Sequence, residues 1–378
     1  MAPFVYLGAL LLVCAAPQQQ ELPADVVLLS KIKARVAENL THLPDFTCTE
    51  TIRRSIQYKG HATADMVDTI RLDVAFVNHQ ELYGWTGEGK IDQTDPTRMV
   101  GGSIANGYFA SFLNNIFLVS TTTFHYAGHV KLDGQDMLQY DYKVPQIAGA
   151  YRLRSLHGHA VVGYHGSFWL KEGTLDPLRI NIAADDIPSD SGFGAAISRL
   201  DYGPVDIRGK SFVLPGAGEF TFTDTDGNQS RNNLSFRACR EFVGESTVRF
   251  ETAEAGPKIA LPDEFSAELE LATPVDAATS AGGDRIEATL VHALKAADGS
   301  TIPEGARFSG RLGHVTKTGA SYSMDLVFTA IDYPAGRADL TSRVNDVVIK
   351  DHIDRSSEGL IYKAGTHIEL HSRMGTAK

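Results

Sequence analysis

Among the side chains able to do chemistry, the thirteen histidines come first. His125 and His129 fall on one face of an alternating segment, and His157, His159 and His165 surround a turn, so a zinc-binding cluster of imidazoles is conceivable. None of them sits in an HExxH string, and their approach depends on strand register. A His-based metal-dependent hydrolase is therefore the weakest of three functional readings, and no metal ligands are assigned. The run Asp224-Thr225-Asp226-Gly227-Asn228 has calcium-loop composition, but its glycine comes two positions early and Ser235 stands where the closing acid belongs. It reads instead as a hairpin turn. No G-x-S-x-G elbow is present, and the glycine-serine string from Gly163 to Phe168 lies inside an expected strand. Asp185 and Asp186 are neighbours that a strand would point to opposite faces, so they cannot share one glycosidic bond. Gly101-Gly102 lacks the Lys-Ser/Thr of a phosphate-binding loop. The sequence assigns no catalytic residue and no cofactor, and the chain is read as a non-enzyme.

The cysteines speak to compartment. An apolar run from Val5 to Ala16 is too short to span a bilayer and ends in small residues, which predicts a signal peptide over 1–15. Cys14 leaves lipidation open as an alternative, with outer-membrane association as its consequence. Removal of the signal leaves Cys48 and Cys239, which an oxidising compartment would join. Periplasmic or secreted location is expected. A net charge of -11 with no basic stripe argues against nucleic acid, and no other apolar run is long enough for a transmembrane helix.

At 378 residues with 43% hydrophobic content the chain is large enough for two packed units. Pro23 opens a helix with Leu29, Ile32, Val36, Leu40 and Leu43 on one face, and Pro44 stops it. The period then changes to two, as at Ile70, Leu72, Val74 and Phe76. Turn residues at Leu132–Gln135, His157–His159, Arg208–Lys210 and Asp226–Asn228 predict an antiparallel meander. One interruption is expected, a second helix from Ser103 to Val119 carrying Tyr108, Phe109, Phe112, Leu113, Ile116 and Phe117. Such a stripe ordinarily serves as core. A linker at 251–258 separates the first domain, 22–250, from a second, 259–378, of short alternating strands suited to a small β-barrel or sandwich.

The stretch Ser167–Ile180, SFWLKEGTLDPLRI, reads strand, tight turn, strand. Through Trp169, Leu170, Thr174, Pro177, Leu178 and Arg179 it resembles the hairpin of LolA-type periplasmic lipoprotein carriers and their RseB-like and LppX-like relatives. The resemblance implies a mainly β fold with helices (α+β): an unclosed antiparallel β half-barrel with two helices on its concave side. It also implies a cleft for the acyl chain of a lipid or lipoprotein, for which Phe109, Phe112, Ile116, Phe117 and Trp169 are the candidate lining. In the second domain GDRIEATLVHAL, IPEGARFSGRLGHV and AGTHIEL are similar to the barrel module of TrbI-type envelope proteins, with Pro303, Gly305 and Gly310 as turn residues. That likeness implies an alternative role, as a structural or assembly factor with an envelope protein partner.

Overall fold

The computed structural model describes residues 22–102, 104, 107–148, 151–154, 159–242, 259–318, 321–341, 343–350, 354–356 and 359–374. The expected signal peptide, Cys14, the linker and His157 lie outside them. Helix α1 (Ala24–His42) follows Pro23, and the chain becomes extended at Leu43, just before Pro44. Proline disfavours the helical conformation in the residue before it, which is why the helix ends there. There follow β1 (Phe46–Gln57), β2 (Asp65–Val77), β3 (Gln80–Trp85), the single turn α2 (Thr97–Val100), and α3 (Ser111–Leu113) running into a π turn at Asn114–Leu118. The meander continues with β4 (Thr123–Leu132), β5 (Gln135–Val144), the small hairpin β6 (Tyr151–Arg154) and β7 (His159–Val162), β8 (Tyr164–Lys171), β9 (Pro177–Ala184), β10 (Phe193–Ile207), β11 (Lys210–Asp224) and β12 (Gln229–Glu241).

Ten of these strands form one sheet in the order β3-β2-β1-β12-β11-β10-β9-β8-β5-β4. Strands β3 and β4 are its two edges, so the sheet is an open half-barrel. Register keeps one face apolar from end to end: Ile52 sits opposite both Ile70 and Leu234, Leu200 opposite Ile180, and Tyr140 opposite Phe168. Because neighbouring residues on a strand face opposite ways, this parity sends every second side chain into a single core. Ile32 and Val36 of α1 join that core. Asn39 fastens the helix to β11 by donating to the Val213 carbonyl and accepting from its N–H, both at 3.1 Å.

The turns form as expected where the sequence supplies residues tolerant of positive φ. Asp133-Gly134 and Arg208-Gly209 both adopt it, which suits the right-handed twist of two-residue hairpins. At the third, Asp224 Oδ1 accepts the backbone N–H groups of Asp226 and Asn228, both at 2.9 Å. The acid of the calcium-like run thus holds a hairpin. Cys48 and Cys239 are disulfide-bonded. The register steps between Thr47 and Thr49, and Ala238 takes φ +51°, so a bulge in β12 turns Cys239 toward its partner.

The second helix differs from expectation. In place of one helix over 103–119 there is a turn through Tyr108–Ala110, then α3 and the π turn. The cause lies in Gly107, which has φ +85°, and in a buried carboxylate that holds the turn. Glu81 accepts the N–H groups of Gly107 at 2.7 Å and of Phe109 at 2.8 Å. Helix geometry offers no such external partner, so the local pattern loses to the tertiary contact. Ser103, the expected cap, is outside the described residues.

The second unit contains β13 (Glu264–Leu271), β14 (Val275–Asp276), β15 (Arg285–Leu290), β16 (Leu294–Lys295), β17 (Thr301–Ile302), β18 (Arg307–Thr318), β19 (Ser321–Tyr333), β20 (Gly336–Asp339), β21 (Arg343–Ile349), β22 (Asp354–Ser356), β23 (Gly359–Tyr362) and β24 (His367–Met374). Seven of them form an antiparallel sheet, β20-β19-β18-β15-β13-β24-β21, around a separate core that includes Phe308, Phe328 and Leu370. The sheet curls: Asn345 on the edge strand β21 donates to the Phe328 carbonyl on β19 at 3.0 Å. Gly305 has φ +81° in its turn, whereas Gly310 lies inside β18 at a bulge, where a Cβ would meet the Val327 carbonyl oxygen. Gly310 is thus a close-approach residue and not a turn residue.

The two units touch directly. Gly282 exchanges backbone hydrogen bonds with β2, donating to Thr69 at 2.8 Å and accepting from Arg71 at 2.7 Å. Arg71 pairs with Asp284, and the Arg311 guanidinium lies 4.6 Å over the Trp85 ring while bonding Glu88 at 3.2 Å.

Candidate functional site

A cavity of about 660 Å³ opens over the inner face of the first sheet. Its buried lining is Ile104, Phe112, Tyr151, Leu153, Tyr164, Phe193 and Phe220, and its exposed lining includes Arg98, Ser111, Asn114 and Arg152. Strands β8, β10 and β11 therefore supply the floor, β6 one wall, and Thr94–Arg98 with Ile104, Gly107 and Ser111–Asn115 the other. Phe112, Tyr151 and Tyr164 pack edge to face, with centroids 5.5 to 6.0 Å apart. Edge-on packing of this kind fixes ring positions and leaves a rigid apolar surface. The size falls within the ordinary range of small-molecule sites. An apolar floor with a polar rim fits a ligand that has one apolar part and one polar end.

Beside the cavity wall the core contains acids. Glu50 on β1 is 1% exposed, and its Oε1 has no hydrogen-bond partner. Burial, assisted by the charge of Glu81, pushes Glu50 from an ordinary 4.5 to about 8, so it is protonated at neutral pH. Glu81 is raised by burial too, opposed by the hydrogen bonds from Phe109, Tyr83 and Gly107. Its carboxylate also accepts the Tyr83 hydroxyl at 2.8 Å. Together these contacts hold the turn that leads into Phe112. At the far end of β1 a second buried pair occurs: Arg54 donates from Nε to Asp68 at 2.6 Å and from Nη1 to the Gly101 carbonyl at 2.6 Å. These acids escape a reading based on periodicity alone. The signal was available in FTCTETIRRSIQ, where Glu50 and Arg54 share parity with Phe46, Cys48 and Ile52.

The five residues expected to line an acyl cleft separate into three groups. Phe112 lines the cavity. Phe109, Ile116 and Phe117 share the surrounding core at 0 to 1% exposure, Phe109 against Phe46 and Phe236, and Phe117 against Phe168. Trp169 lies on the opposite face of β8 from Phe168 and donates its indole N–H to Gln139 at 3.1 Å. The parity of a strand forbids it from joining the others.

The histidines remain dispersed. His125, His129 and His159 are exposed, and His165 bonds Asp185 at 2.6 Å. Among the described residues no group of three His, Cys, Asp or Glu side chains is placed to hold a metal ion.

No family model matches the chain, and no curated protein matches it. Solved structures are similar over part of it, among them the following two. A putative outer membrane lipoprotein-sorting protein domain from Vibrio parahaemolyticus has 11% identity and a TM-score of 0.30, covering 57% of this chain and 94% of that one. A DUF1329 family protein from Desulfovibrio piger ATCC 29098 has 13% identity and a TM-score of 0.29, with coverages of 60% and 97%. Likenesses at that level assign neither ligand nor partner. No helix among the described residues is long and apolar enough to cross a membrane.

Proposed function

We propose that this is an exported, non-catalytic protein that binds the acyl chain of a lipid or lipoprotein in the cavity beside Phe112. The observation that supports it most is the pairing of an aromatic and aliphatic floor with a solvent-facing polar rim. Each buried methylene contributes about 0.8 kcal/mol, so a medium-length chain gains enough to offset the entropy of immobilising it. The disulfide supports export, since such bonds persist in oxidising compartments.

Neither tryptophan lines the cavity, so intrinsic fluorescence is a poor reporter. Displacement of a fluorescent fatty acid from the full chain, with mass spectrometry of solvent extracts, is the suitable test. Saturable one-to-one displacement is expected, weakened tenfold or more by Ser111→Trp, an exposed rim change that narrows the mouth without disturbing the core. Clean extracts and no displacement would refute the reading.

A further inference from the structure

The rim of the cavity carries charge of one predominant sign. Arg98, at the α2 turn, and Arg152, on β6, face the same opening from opposite walls, and both are exposed. Neither forms an ion pair among the described residues. The one acidic side chain in the lining, Asp95, already accepts the Thr97 N–H at 3.1 Å and the Thr97 hydroxyl at 2.5 Å. Elsewhere in the chain the balance is acidic, -11 overall, and arginines such as Arg35, Arg54, Arg71, Arg179 and Arg311 are paired with carboxylates. Arg98 and Arg152 thus place two guanidinium groups, without a carboxylate partner among the described residues, over an apolar floor.

Guanidinium groups present planar sets of N–H donors that match the oxygens of phosphate and carboxylate, and they lose less hydration than an ammonium would on binding them. Asn114 and Asn115 add neutral amides to the same lining. The floor below, with Phe112, Tyr151, Leu153, Tyr164, Phe193 and Phe220, offers no countercharge for a cationic head. From this juxtaposition we infer that the cavity selects amphiphiles with an anionic head, a phosphate or a carboxylate, held between Arg98 and Arg152 while the chain lies on the floor. This rests on the acyl-binding reading above and goes further by fixing the head-group class.

The test compares dodecyl phosphate and dodecanoate with neutral and trimethylammonium amphiphiles of the same chain length, all below micelle formation, with inorganic phosphate as the head alone. The anionic pair is expected to bind at least tenfold more tightly than the neutral one and to weaken as salt is raised. The double variant Arg98→Gln/Arg152→Gln should lose that preference while keeping neutral binding, and Arg→Lys at both positions should retain part of it. Both side chains are exposed, so the fold is not at stake. Equal binding of anionic and neutral amphiphiles, or a preference that survives in the glutamine variant, would overturn the head-group inference and leave acyl binding standing. Inorganic phosphate binding as tightly as dodecyl phosphate would overturn it in favour of a free-anion site. Failure of every alkyl amphiphile would remove both readings.

Discussion

Glu50 shows how a single side chain sets the behaviour of the core. Its carboxyl is buried among Glu81, Tyr83 and Tyr108, whose phenols burial keeps protonated. Because the folded-state value is raised to about 8, folding favours the protonated acid. The contribution of this group to stability is then fully present below about pH 4.5, declines as pH rises toward 8, and levels off once the folded carboxyl ionises as well. Glu50→Gln keeps the shape and removes the ionisation. It should be more stable than the parent by roughly 3 kcal/mol at pH 7, with the gap closing by pH 4.5. Chemical denaturation at a series of pH values measures this, and a gap independent of pH would contradict it. The parity that places Glu50 inward was legible in β1, but an isolated acid on an apolar face carries no sequence mark of its protonation state. That depends on Glu81, 31 positions away in the chain and brought near by the β1-β2-β3 pairing.

Among the elements, those built from local rules were legible and those decided by distant contacts were not. Helix α1 and the Asp133-Gly134, Arg208-Gly209 and Asp226–Asn228 turns need only neighbouring residues, and all formed where the spacing put them. The segment 107–118 has helical spacing too, yet Glu81 and the left-handed Gly107 break it into a turn followed by α3 and a π turn. Trp169 stands apart from the other aromatics for another reason: it belongs to a strand whose inward parity is set by Phe168 and Leu170. The Cys48–Cys239 link joins neighbouring strands β1 and β12, which the long meander separates in sequence. Closing a loop of 191 residues contributes about 5 kcal/mol in the chain-entropy model. Replacing both cysteines with serine should therefore lower the denaturation midpoint substantially, with reductant producing the same fall in the parent and none in the variant. An unchanged midpoint under reductant would contradict a stabilising role.

For the molecule as a whole, two separate cores are fastened at Gly282, Arg71–Asp284 and the Arg311–Trp85 stack. None of this was visible in the sequence, where the expected boundary was the linker at 251–258 and contacts across it leave no periodic mark. Gly282 and Gly283 fit at the junction because a Cβ would meet the Gly313 carbonyl oxygen in one case and that of Arg71 in the other. None of the cavity's described lining comes from the second unit, so its ligand preference belongs to the first sheet and the segments that wall it. Photo-crosslinking of the full chain with a diazirine-bearing fatty acid, followed by peptide mapping, tests that placement most directly. Labels are expected on the peptides containing Ser111–Asn115, Tyr151–Leu153 and Tyr164. Labelling confined to the opposite face around Trp169, or to residues 264–374, would contradict the account.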